Sequence, residues 1–136
     1  MTTQQTITVP LFVNGEGMGG GRVHYSIEGH PFLGAARSAP RYRFFSVRDE
    51  FPGLRPVAEG GASIEGELYE VPLDVIRDSF MPAEPPELEL GVLELDDGTS
   101  SLVVLMRPDV VGSGAGLTDI TEHGGWRSYR ATLGAR

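Results

Sequence analysis

The chain has 136 residues, a formal charge of −8 and no cysteine. The length fits one domain over residues 1–136, and the acidic balance argues against a nucleic-acid or anionic-membrane partner, which would need a basic face. Without cysteine there are no disulfides, thiol nucleophiles or thiolate metal sites, and because all eleven cations are arginine, lysine Schiff-base chemistry is excluded too.

No apolar run reaches the roughly 18 residues of a membrane span. The start, Met1-Thr-Thr-Gln-Gln-Thr, lacks the basic and apolar regions of a signal peptide. The expected location is cytoplasmic. Residues 1–6 are polar and read as a frayed end.

The apolar run from Ile7 to Val13 predicts a buried strand. It ends in Asn14-Gly15, and a glycine-rich loop follows to Gly21. Arg22 to Glu28 fits either an alternating strand or one helical turn, and Gly29-His30-Pro31 is a turn. Phe32–Ser38 predicts a strand, broken by Ala39-Pro40. Tyr42–Val47, aromatic and β-branched, is a stronger one. Phe51-Pro52-Gly53 punctuates an expected turn over Asp49–Gly53, and Glu59-Gly60-Gly61 is another. Ala62–Val71 alternates, with Tyr69 and Val71 out of phase with Ile64, Gly66 and Leu68, which predicts a bulge or burial on both faces.

Pro72 stands where a helix should open, with Leu73, Ile76, Arg77 and Phe80 at helical spacing. Pro82 to Pro86 ends it. Leu88–Leu95 and Ser101–Met106 read as a hairpin joined at Asp96-Asp97-Gly98. Arg107–Gly116 reads as loop, and Asp119–Leu133 as a terminal helix or irregular cap. Many strands, few helices and no βα alternation predict an α+β fold, a mostly antiparallel or mixed sheet curled toward a barrel.

The glycine loop is the first candidate site. Glycine lets a ligand approach the main chain, and successive N–H groups can form an anion-binding concavity. Gly15-x-Gly17-x-x-Gly20 meets the letter of the dinucleotide fingerprint but lacks the helix after its third glycine and the acidic residue about 20 positions on. No Gly-Lys-Ser/Thr follows, so it is no phosphate-binding P-loop. The three histidines, His24, His30 and His123, lack the helical spacing of a zinc motif. No cofactor or metal is expected.

Seven segments in order carry a resemblance. They are Leu11-Phe-Val-Asn-Gly, Phe32-Leu-Gly-Ala, Ala39-Pro-Arg-Tyr-Arg-Phe, Pro52-Gly-Leu, Gly60-Gly-Ala-Ser-Ile-Glu-Gly-Glu-Leu-Tyr-Glu-Val-Pro, Gly91-Val-Leu-Glu-Leu-Asp-Asp-Gly and Asp119-Ile-Thr-x-x-Gly-Gly-Trp-Arg-Ser-Tyr129. From about Pro10 to Ala131 the chain resembles the C-terminal domain of allophanate hydrolases, within the γ-glutamylcyclotransferase-like superfamily. The resemblance implies a small mixed, mostly antiparallel β-barrel flanked by a few helices.

It also implies a site. Cyclotransferases hold substrate on the N–H groups of a Tyr-Gly-Ser/Thr-Leu loop after the first strand, and a glutamate after the following helix moves protons. Here that loop reads Asn14-Gly15-Glu16-Gly17, and Phe80-Met-Pro-Ala-Glu84 puts Glu84 at the glutamate position, with Met81 replacing an aspartate. The histidine usual in the allophanate hydrolase loop is replaced by Gly17 or Met18. The expected catalytic residue is Glu84, and the expected substrate-binding residues are Asn14, Gly15, Glu16, Gly17, Met18, Arg41 and Tyr69. Arg41 and Arg43 share a strand face and offer bidentate carboxylate binding. The expected partner is a small-molecule carboxylate or amide, with an amidase or a homo-oligomer as the protein partner. The implied reaction is breakdown of an N-carboxycarbamate in nitrogen metabolism. The alternatives are a γ-glutamyl cyclotransferase releasing 5-oxoproline and a non-catalytic binding or assembly module.

Overall fold

The computed structural model describes residues 7–134, so the expectation for residues 1–6 falls outside the described residues. Eight strands build one mixed sheet: β1 (Thr8–Val13), β2 (Phe32–Arg37), β3 (Tyr42–Val47), β4 (Phe51–Pro56), β5 (Glu65–Pro72), β6 (Leu88–Glu94), β7 (Ser100–Met106) and β8 (Leu117–Asp119). The path runs β2-β5-β1-β7-β4-β3-β8, with β6 also paired to β7. β1 and β4 each run parallel to β7. The other pairings are antiparallel. The sheet curls into a half-barrel, and a bridge between Ser38 and Leu95 ties the ends of β2 and β6.

Leu11, Phe12 and Val13 are buried in succession, as in a central strand covered on both faces. The Phe12 ring lies against β5 at Gly66, where a Cβ would come within 2.5 Å of Phe12 Cζ and of the Val13 carbonyl oxygen. That contact explains a glycine inside the best alternating strand. The expected irregularity lies in β2, where the register shifts between Phe32 and Gly34. Phe44, Leu54, Ile64, Phe80, Leu93 and Ile120 complete the centre of the core.

After Pro72 the chain winds as α1 (Leu73–Val75), widens into a π turn at Ile76–Phe80 and tightens into a 3-10 turn at Met81–Ala83. Ile76 and Phe80 face the core, as the helical spacing predicted. Two further helices are α2 (Pro108–Ser113) and α3 (Trp126–Gly134).

Two expectations are corrected. Of the turn expected over Asp49–Gly53, only Asp49 and Glu50 are turn residues, and Phe51–Gly53 open β4, which pairs with β3 from Val47↔Phe51 to Tyr42↔Pro56. The chain reverses earlier, through Arg48 and Asp49 with φ of 52° and 59°. The Asp49 carboxylate accepts from Ser46 Oγ at 2.7 Å and Tyr129 OH at 2.6 Å, so a tertiary contact holds a conformation usually left to glycine. The loop over Arg107–Gly116 contains α2, opened by Pro108 and closed by Gly114 at φ 66°. This is the proline-start, glycine-stop asymmetry of helices.

Candidate functional site

The site follows from the way β7 is shared. β6 pairs with β7 along its whole length, so β1 and β4 divide the opposite edge. β1 holds Leu102 and Val103, and β4 holds Leu105. Two parallel strands cannot occupy one stretch of edge, so β1 turns away after Val13 as β4 arrives. A cavity of about 190 Å³ opens at this divergence, lined by Phe12 and Val13 of β1, Phe51 and Pro52 of β4 and Val104 of β7.

The glycine loop forms one wall. It is a closed structure: Met18 N–H donates to Gly15 O at 3.1 Å, Gly21 N–H to Met18 O at 2.8 Å and Val23 N–H to Glu16 O at 3.0 Å. His24 Nδ1 lies 2.8 Å from Gly17 O. Gly15 is required by packing, since a Cβ there would sit 2.5 Å from Pro52 Cγ and Cδ. Asn14, Gly15, Glu16 and Gly17 all line the cavity. Among the described residues, no protein acceptor takes the N–H of Gly15, Glu16 or Gly17. Asn14 is only 8% exposed, and no described group bonds its side-chain amide. The loop N–H groups and the Asn14 amide are therefore available to a ligand in the cavity.

Glu84 lines the same cavity with Phe80, Ala83, Pro85 and Leu88. Its N–H donates to Met81 O at 3.0 Å, and its backbone is extended at φ −85°, ψ 148°. Pro85 enforces that conformation by disfavouring the helical region for the residue before it. No described group bonds or pairs with the Glu84 carboxyl. Burial among apolar side chains pushes its pKa up to about 7, because desolvation penalises the charged form. A carboxyl group poised near neutrality can both give and take a proton.

Glu16 lines the cavity, and its carboxylate clamps α3. Oε2 accepts from Trp126 Nε1 at 2.6 Å and lies 3.4 Å from Arg130 Nη1, and Oε1 accepts from Arg22 N and Nε. Burial alone would raise its pKa, but these bonds hold it below the ordinary value. Glu67 also holds α3, at Arg127, and accepts from Gly19 N–H and Tyr69 OH as well.

Three expected binding residues lie away from the cavity. Met18 is a buried core residue. Tyr69 packs against His24 and Phe32, with ring centroids 5.5 and 5.2 Å away. Arg41 is an exposed partner of Glu94 at 3.1 Å. Its neighbour Arg43 binds Asp119 at 2.6 Å. Arg22 does line the cavity, and sequence reasoning passed over it. The signal was available, since it is the first cation after the glycine loop. Among the described residues, no group of three His, Asp or Glu is placed to hold a metal ion, and no helix is long and apolar enough to cross a membrane.

Residues 9–131 match the family described as the allophanate hydrolase C-terminal domain. No curated protein sequence matches. Among solved structures, a protein specific to uropathogenic E. coli is 33% identical with a TM-score of 0.84, covering 92% of this chain and 97% of that one. The allophanate hydrolase of Kluyveromyces lactis is 27% identical with a TM-score of 0.85, and the match covers 93% of this chain but 22% of the hydrolase. An AIG2-like protein of mouse, 20% identical over 76% of this chain and 82% of its own, shares the fold with a TM-score of 0.58. The fold is γ-glutamylcyclotransferase-like, as the resemblance implied.

Proposed function

The chain belongs to the allophanate hydrolase C-terminal domain family, and from that premise we propose that its cavity is the site of acid–base catalysis on a small carboxylate bearing an amide or ureido group. The observation that carries this reading is that one cavity is lined both by the half-buried Glu84 and by Gly15, Glu16 and Gly17, whose N–H groups have no described acceptor. The N–H groups would hold a substrate oxygen and the charge that grows on it, and Glu84 would move the proton. For an N-carboxycarbamate, the acid form of Glu84 protonates nitrogen as the C–N bond breaks, releasing carbon dioxide and carbamate. An amidase, on the same chain or another, would supply that substrate in the cytoplasm.

A second reading is favoured by one feature. On the resemblance, Glu84 falls at the position of the cyclotransferase glutamate, while Gly17 or Met18 stands where the allophanate hydrolase branch would have its loop histidine. In a γ-glutamyl cyclotransferase, Glu84 would take a proton from the attacking α-amine and return it to the leaving amine, giving 5-oxoproline.

The test is turnover of ureido carboxylates, followed by carbon dioxide release, beside turnover of γ-glutamyl amides, followed by 5-oxoproline, in wild type and Glu84→Gln. Turnover of one class, lost in the variant, identifies the reaction. If wild type turns over neither class and Glu84→Gln binds the same ligands equally well, the domain is a non-catalytic binding module.

A further inference from the structure

Arg22 is the only cation among the residues lining the cavity, whose two acids are Glu16 and Glu84. It also lines an adjoining groove with Asp49, Glu50, Trp126, Arg127 and Arg130, so it stands where the cavity meets the surface. Its side chain is 64% exposed, so a ligand arriving from solvent can reach it.

The guanidinium is anchored from two separate segments. Nε donates to Glu16 Oε1 at 3.2 Å, within the glycine loop. Nη2 donates to the carbonyl oxygen of Glu50, in the turn between β3 and β4. These bonds use one hydrogen each, leaving both hydrogens of Nη1 and the second hydrogen of Nη2 without a described acceptor. Glu16 does not cancel the charge alone, because its other oxygen faces Trp126 Nε1 and Arg130. The result is an arginine oriented in advance at the cavity, which lowers the entropic cost of capturing an anion.

The geometry points to Arg22 as the specificity-determining residue of the cavity: it receives a ligand carboxylate at the mouth, so that the uncharged amide or ureido end is the part that reaches Glu84. This rests on the reading of the cavity as a small-carboxylate site. It commits the site to ligands with a carboxylate at one end and selects against their neutral counterparts. Asn14 and the loop N–H groups are left for the amide or ureido oxygen. An anionic ligand also fits best while Glu84 holds its proton.

The experiment is calorimetric titration at about pH 6 with matched pairs, malonate against malonamide and 5-oxoproline against its primary amide. The proteins are wild type, Arg22→Gln, Arg22→Lys and Glu84→Gln. Wild type should bind at least one acid tenfold or more tightly than its amide. Arg22→Gln should lose that preference by weakening the acid alone. Arg22→Lys should recover part of it, since an ammonium restores charge but not the planar fork, and it tests the proposal if Arg22→Gln fails to fold. Glu84→Gln should keep the preference. Equal binding of acid and amide by wild type, no binding of either, or an undiminished preference in Arg22→Gln overturns the proposal. The two readings fail separately. Full turnover in Glu84→Gln with acid preference lost in Arg22→Gln leaves Arg22 standing and removes the proton-transfer role. Loss of turnover in Glu84→Gln with preference intact in Arg22→Gln does the reverse.

Discussion

Replacing Glu84 by glutamine tests the energetic premise of the site without any ligand. The ordinary glutamate pKa is 4.5, and burial raises it to about 7 in the fold. The folded protein therefore holds this proton more tightly than the unfolded chain. Stability is greatest below the unfolded value and is lost as pH rises toward the folded value. The gap corresponds to about 3 kcal/mol, fully expressed above about pH 7. Glutamine keeps the shape and carries no charge, so Glu84→Gln should escape the loss. At about 4 °C per kcal/mol for a domain of this size, the variant should gain about 10 °C in Tm over wild type between about pH 5 and pH 8. Every other titrating group is common to both proteins and cancels in the difference. Trp126 is the only tryptophan and is 2% exposed, so its emission reports unfolding in both. Melting curves that stay parallel across that range would show a solvated carboxyl, and the case for proton transfer by Glu84 would lose its basis.

Three other perturbations separate the wall of the cavity from its surroundings. Gly15→Ala would place a Cβ 2.5 Å from Pro52 Cγ and Cδ; it should cost about 1–3 kcal/mol, as overpacking does, in urea unfolding, and weaken every ligand of the cavity together. Trp126→Phe removes the 2.6 Å bond to Glu16 Oε2. Leaving that carboxylate short of a donor should cost about 1–3 kcal/mol by circular-dichroism melting, a loss within 0.3 kcal/mol counting against the clamp. Arg41→Ala removes an exposed ion pair, so its stability should stay within about 0.5 kcal/mol of wild type and its ligand titrations should be unchanged; weakened carboxylate binding would return Arg41 to the site.

What the sequence discloses is what local chemistry fixes. The strand ending at Asn14-Gly15, the Asp96-Asp97-Gly98 hairpin and the helical turn after Pro72 all carry their own signals, and each appears in the fold. Glu84 is legible because prolines on both sides hold it in an extended loop. The β3–β4 reversal is not legible. Its left-handed residues are Arg48 and Asp49, held by Ser46 and by Tyr129, which is distant in sequence. The same reason hides the duty of Glu16, whose indole partner lies 110 residues away. Tyr69 lies on the expected strand and Arg41 just ahead of β3, but curvature and register decide which side chains meet the cavity, and neither quantity is written in a period of two.

The cavity itself is a product of topology more than of any motif. Because β6 covers one edge of β7, β1 and β4 must part on the other, and a gap opens there for any sequence that keeps this strand order. Gly15 against Pro52 sets how closely the two strands approach. The chemistry is then supplied by segments that bear little of the core: the loop after β1, the turn before β4 and the proline-bound stretch around Glu84. The residues of such a loop can therefore change while the gap and its carboxyl remain. The cation that lines this gap is Arg22, and on the proposal above it is the side chain that selects the ligand.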